Sequence, residues 1–178
     1  MTGVANDPRP TADAPRGARI LVTGMSGTGK STLLAALAAR GHRTVDTDYD
    51  GWTLADGTWD EARMDRLLDT DGALVVSGTV ENQGRFADRF EQIVLLSAPV
   101  EVLIHRVAHR TTNPYGRSAE DQALIRRHVA EVEPLLRARA DRELDARRPV
   151  GELVSEMEAL LHDLAARCGR KKDGADHD

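Results

Sequence analysis

Gly24-Met25-Ser26-Gly27-Thr28-Gly29-Lys30-Ser31 has the spacing G-x-x-x-x-G-K-S, the pattern of a loop that wraps phosphate. Glycines at that spacing let the backbone pass close to an anion. The N–H groups of Gly24, Ser26, Gly27, Thr28 and Gly29 are therefore expected to face phosphate oxygens, and a helix opening within the loop adds its partial positive charge. Lys30 suits the β- and γ-phosphates, the Ser31 hydroxyl suits Mg²⁺, and Thr32 is placed for an α-phosphate. The alternative is a chance match in a glycine-rich turn. A strand before the loop and a helix after it argue against chance, so the expected ligand is a nucleoside triphosphate with Mg²⁺.

Other residues offer chemistry that such a loop would need. Asp46-Thr47-Asp48 provides carboxylates, and an acceptor hydroxyl needs an oxygen that orients it and takes its proton; the structural alternative is a strand-end turn with two solvated aspartates. Arg106 and Arg110 are four apart and share a helix face, and Arg117 follows Tyr115-Gly116. Mobile arginines can meet phosphoryl charge while water is excluded; otherwise they form a basic helix face and an exposed loop. Arg126 and Arg127 are weaker candidates for the same clamp. His105 and His109 have a chelating spacing but no third ligand, so a solvated helix face is expected. Tyr49, Trp52 and Trp59 hold half of the six aromatics and form either an acceptor pocket or local core. Thr79, Glu81, Asn82, Gln83 and Arg85 are candidates for the pocket's other wall, and Arg63 for an acceptor anion.

These residues must be positioned by short strands alternating with helices. Arg19–Thr23 reads as a buried strand, followed by a helix from Ser31 to Arg40 that Gly41 ends. Arg43–Val45, Ala73–Ser77, Gln92–Leu96 and Glu143–Asp145 are further strands. Thr58 with Glu61 reads as a capping box opening a helix through Leu68. Pro99 opens a helix striped by Val100, Leu103, Ile104 and Val107. Ser118 to about Arg139 is helical with a break at Pro134, and Leu153, Met157, Leu160, Leu161 and Leu164 mark a closing helix. Alternation of this kind implies an α/β fold with a parallel sheet covered on both faces.

The 178 residues suit one domain, expected over 18–168, with a disordered leader at 1–17 and a disordered tail at 169–178. A net charge of −5 disfavours a broad nucleic-acid surface. The single cysteine, Cys168, excludes an internal disulfide, and no apolar run reaches the length of a membrane span. A cytoplasmic monomer or homodimer is expected.

Most of the folded region resembles the nucleotide-kinase-like group, which includes adenylate, shikimate and gluconate kinases. The resemblance implies a three-layer P-loop NTPase fold with a five-stranded parallel sheet and a short lid at about 110–118. It implies that Asp46 lies near the Mg²⁺ shell, with Ser31, and that Asp48 takes the acceptor hydroxyl. It further places Arg106 against the adenine, Arg110 and Arg117 on the phosphates, and Asp145–Pro149 around the base. The implied activity is transfer of the ATP γ-phosphate to a small molecule; a nucleoside monophosphate kinase and a slowly hydrolysing regulatory module are the alternatives. One departure stands out: the third strand ends in Ser77, where adenylate-kinase-like enzymes carry an aspartate. Either Asp46 serves the metal or the catalytic assembly is incomplete.

Overall fold

A computed structural model describes residues 17–111 and 115–173, the side chains of 168–173 excepted. Five strands, β1 (Arg19–Thr23), β2 (Thr44–Asp46), β3 (Leu74–Ser77), β4 (Gln92–Ser97) and β5 (Arg142–Asp145), form one sheet in the order β2-β3-β1-β4-β5. All four pairings are parallel. Parallel strands need crossovers; α1 (Lys30–Ala39), α2 (Glu61–Leu68), α3 (Val100–His109), α4 (Ala119–Glu131) and α5 (Glu133–Arg139) lie within them, and α6 (Val150–Asp173) follows the last strand. The expected α/β class and five-stranded parallel sheet are observed.

Alternate strand residues face opposite layers, as the pleat requires. Ile20, Val22, Val75, Val94 and Leu96 meet Leu33, Leu34 and Leu37 of α1 and the apolar stripe of α6. Leu21, Leu74, Val76 and Ile93 meet α2 and the two tryptophans on the other face. Leu95 lies against Met25, Leu103 and Leu136, which fastens the phosphate loop to α3 and α5. The sheet order puts β1 between β3 and β4, so the loop leaving Thr23 emerges where the connections diverge to either side.

Several boundaries differ from expectation. The start of α2 is capped by Asp60, whose carboxylate accepts from the Arg63 N–H at 3.0 Å. Thr58 is already engaged, its hydroxyl donating to Asp56 Oδ1 at 2.6 Å inside a small hairpin closed by the Thr53–Trp59 bridge. Glu81–Arg89 forms successive 3₁₀ turns that apolar spacing does not reveal. The predicted 118–139 helix is divided at Val132, with Pro134 in the first turn of α5. The closing helix continues to Asp173, into the segment expected to be a tail from 169. The leader lies outside the described residues except for Gly17, as do 112–114 of the lid and the side chain of Cys168. Among the described residues no helix is long and apolar enough to cross a membrane.

Candidate active site

The phosphate loop bends out of β1 at Gly24 and enters α1 at Gly29, whose φ of 91° is a left-handed conformation that glycine adopts without strain. Gly27 also has φ 91°, and its bare Cα lies against α3: a β-carbon there would stand 2.9 Å from the Leu103 carbonyl oxygen. Helix α1 has no side-chain cap and no acidic residue in its first turn, so its leading N–H groups are suited to an anion.

Lys30 is buried, and its Nζ donates to the carbonyls of Gly24 at 2.7 Å and Met25 at 3.5 Å. Burial pushes its pKa below the ordinary lysine value; Asp48 and then Asp46 oppose that shift, and Arg110 adds to it. The Thr28 hydroxyl donates to the Met25 carbonyl at 2.9 Å, so this side chain shapes the loop from within. From outside, the Thr79 hydroxyl grips Gly24 twice, donating to its carbonyl at 2.8 Å and accepting from its N–H at 3.2 Å. Thr79 also meets Thr23 Oγ1 at 3.1 Å, and the buried Gln83 amide donates to that same oxygen.

Asp46 and Ser77 are lateral neighbours in the β2–β3 register. The Ser77 hydroxyl donates to Asp46 Oδ1 at 3.1 Å, and the Asp48 N–H donates to the same oxygen. Ser77, where an acid was expected, therefore orients the carboxylate beside it. Asp48 stands at the loop mouth, open to solvent on one side. Loss of water on its other side raises its carboxyl pKa, against the pull of Lys30.

Ser26–Leu33, Asp48, Tyr49, Arg106 and Arg110 line one pocket of about 430 Å³, together with Ala146, Arg148, Val150 and Leu153. Arg106 bridges its two sides, donating to the Gly27 carbonyl at 3.4 Å and the Ala146 carbonyl at 2.9 Å. Arg110 donates to the Tyr115 carbonyl at 3.0 Å. Arg117 lies outside the lining and donates to the Arg110 carbonyl at 2.7 Å. Ala146 and Arg148 bring the 145–149 loop to the pocket.

The aromatic segment resolves into core and rim. Trp59 is completely buried and donates from Nε1 to Thr47 Oγ1 at 2.9 Å; Trp52 is buried beside it, and only Tyr49 reaches the pocket. The proposed second wall is occupied by internal contacts. Asn82 clasps the Trp59 backbone through both amide atoms, Arg85 pairs with Glu61, and Thr79 and Gln83 serve the phosphate loop. Arg126 pairs with Glu101 and stands outside the pocket lining, as does Arg127. The rings of His105 and His109 stack on each other at 4.3 Å. No group of three His, Cys, Asp or Glu residues poised for a metal occurs among the described residues. Thr79 thus shapes the phosphate loop instead of lining a second wall, and Val150 and Leu153 line the pocket from the start of α6, a role their apolar pattern does not signal.

Fold and loop together define a P-loop nucleotide-binding domain. A family model described as an AAA domain matches residues 20–127. A shikimate kinase of Nitrobacter winogradskyi is 33% identical over 171 residues, which cover 82% of this chain and 78% of that protein. The chain belongs to the P-loop kinase-like family that this relative represents. Among solved structures, the shikimate kinase of Acinetobacter baumannii in complex with shikimate matches with a TM-score of 0.62 at 20% identity, covering 84% of this chain and 95% of that one. A gluconokinase from Sinorhizobium meliloti matches at 0.57 and 21%, covering 89% and 98%. At these identities the structural matches speak for the fold.

Proposed function

We propose that this protein is an ATP- and Mg²⁺-dependent phosphotransferase that moves the γ-phosphoryl group to a hydroxyl of a small molecule. The observation that carries the reading is that Asp48 lines the same pocket as Lys30 and the phosphate loop, close enough for each charge to act on the other. Loop N–H groups and the α1 terminus hold the phosphates, and Arg106 with the 145–149 loop bounds the base. Asp48 orients the acceptor hydroxyl and takes its proton as the oxygen bonds to the γ-phosphorus. The bond from that phosphorus to the bridging oxygen breaks, and ADP leaves. Lys30 and Arg110 meet the charge that spreads over the transferring oxygens.

The donor set fits Mg²⁺. A serine hydroxyl and a carboxylate are hard oxygen ligands, and Asp46 is already oriented by Ser77 and the Asp48 N–H. Ser31 and Asp46 would hold the ion, directly or through water, and the ion would neutralise phosphate charge when bound. The test is ADP release from MgATP across nucleoside monophosphates, sugars and hydroxylated metabolites. Acceptor-stimulated turnover by a hydroxyl compound supports the reading. Turnover with a monophosphate selects the nucleotide-kinase alternative, and a flat response selects the regulatory module.

A further inference from the structure

The loop that carries Asp48 is anchored at both ends and strained between them. At its start, Thr47 donates twice to the Ser77 carbonyl, from N–H at 2.9 Å and from its hydroxyl at 2.7 Å, and Trp59 holds that hydroxyl from behind. At its far end, the buried Trp52 carbonyl accepts from the Asp60 N–H at 3.0 Å. Between these anchors Asp50 and Gly51 have φ of 60° and 65°, two left-handed residues in succession. Asp50 is the one described non-glycine residue with positive φ. A non-glycine residue in that conformation carries a backbone cost, and it persists where neighbouring groups hold it in place.

Arg63 does so. One terminal nitrogen, Nη1, donates to both the Asp50 and Gly51 carbonyls at 2.8 Å each. The guanidinium carbon lies 3.9 Å from the centre of the Trp52 ring, a cation–π stack that fixes the plane of the group. The backbone of Arg63 is held by the Asp60 cap at the start of α2. Arg63 thus joins helix, tryptophan and strained turn into one unit, two residues away from Asp48.

We infer that Arg63 is a positioning residue for Asp48 and not a ligand for an acceptor anion. The inference rests on the reading of Asp48 as the acceptor base, and it deepens that reading. Planarity matters to this role: the stacked fork aims its hydrogens along two fixed directions, which the point charge of lysine cannot do. Arg63→Lys should therefore behave like Arg63→Ala.

The test combines hydrogen exchange with kinetics on purified wild type, Arg63→Ala, Arg63→Lys and Trp52→Leu. MgATP is the probe, first alone with water as acceptor and then with shikimate or D-gluconate. Both Arg63 variants should exchange amide hydrogens at 48–52 at least about tenfold faster, with unchanged exchange in the phosphate loop. ADP release should fall about tenfold or more in kcat while the KM for MgATP stays within about twofold, and Trp52→Leu should show a smaller loss of the same kind. Unchanged exchange at 48–52, full rescue by lysine, or a rise in acceptor KM at constant kcat would each overturn the inference. Asp48→Asn separates the two levels. If it retains wild-type turnover, the base reading itself fails; if it collapses while Arg63→Ala turns over normally, only the role of Arg63 fails.

Discussion

The two sides of the pocket are built on different physical principles. On the nucleotide side, recognition lies in the backbone: loop N–H groups, an uncapped helix start, and glycines whose missing β-carbons admit close approach. On the acceptor side, the polar side chains after β2 and β3 are largely committed to one another. Asn82 holds Trp59, Arg85 holds Glu61, Arg63 holds the 50–51 turn, and only Asp48 and Tyr49 face the pocket. The contrast teaches that a phosphate site can be specified by a short backbone motif, whereas the opposite wall is set by which side chains the packing leaves available.

Substitutions can break that contrast, and the largest effect is expected at Lys30. Lys30→Ala should reduce turnover about 10²–10³-fold, the range seen when a group that stabilises transition-state charge is removed. Burial disfavours the charged lysine while its two carbonyl contacts favour it, so thermal unfolding should shift little. Trp59→Ala should do the reverse, costing about 3–5 kcal/mol of stability in denaturant unfolding, because a fully buried ring is lost. It should leave the affinity of remaining folded protein for a non-hydrolysable ATP analogue close to wild type. Arg106→Ala should weaken that affinity about tenfold by calorimetry, close to 1.4 kcal/mol, as the bridge between Gly27 and Ala146 opens.

The smallest effect is expected far from both sides, at Glu143. Arg137, followed by Ser97, holds its carboxyl below the ordinary value of 4.5. A depressed carboxylate contributes stability that is complete above that ordinary value and is lost as pH falls through the folded one. Glu143→Gln should therefore be less stable than wild type near neutrality, by under about 1 kcal/mol for so exposed a pair. The difference should close as unfolding is measured at progressively lower pH.

The same contrast accounts for what could be read from the chain alone. Arg19–Thr23 and the loop after it are legible because a β-branched run and fixed glycine spacing act locally, and β1 falls where expected. Asp46 and Asp48 are legible as a pair at a strand end. Thr58 misleads because its hydroxyl is taken by Asp56 in a hairpin, which leaves Asp60 to cap α2. The side-chain hydrogen-bond partners of Trp59, Arg63 and Arg85 lie 12 to 24 residues away, so the choice between pocket and core is decided by packing. Ser77 reads as a missing acid, yet in the sheet it stands beside Asp46 and orients it.

The most direct test of phosphoryl transfer through Asp48 is ADP release from MgATP by wild type and Asp48→Asn in the same acceptor screen. An amide keeps the shape but takes no proton, so the account predicts one hydroxyl compound that stimulates wild type. With that compound Asp48→Asn should lose about 10²-fold or more in turnover while binding a non-hydrolysable ATP analogue within about twofold of wild type. Equal stimulation of both proteins, or stimulation only by a nucleoside monophosphate and insensitive to Asp48→Asn, would contradict it.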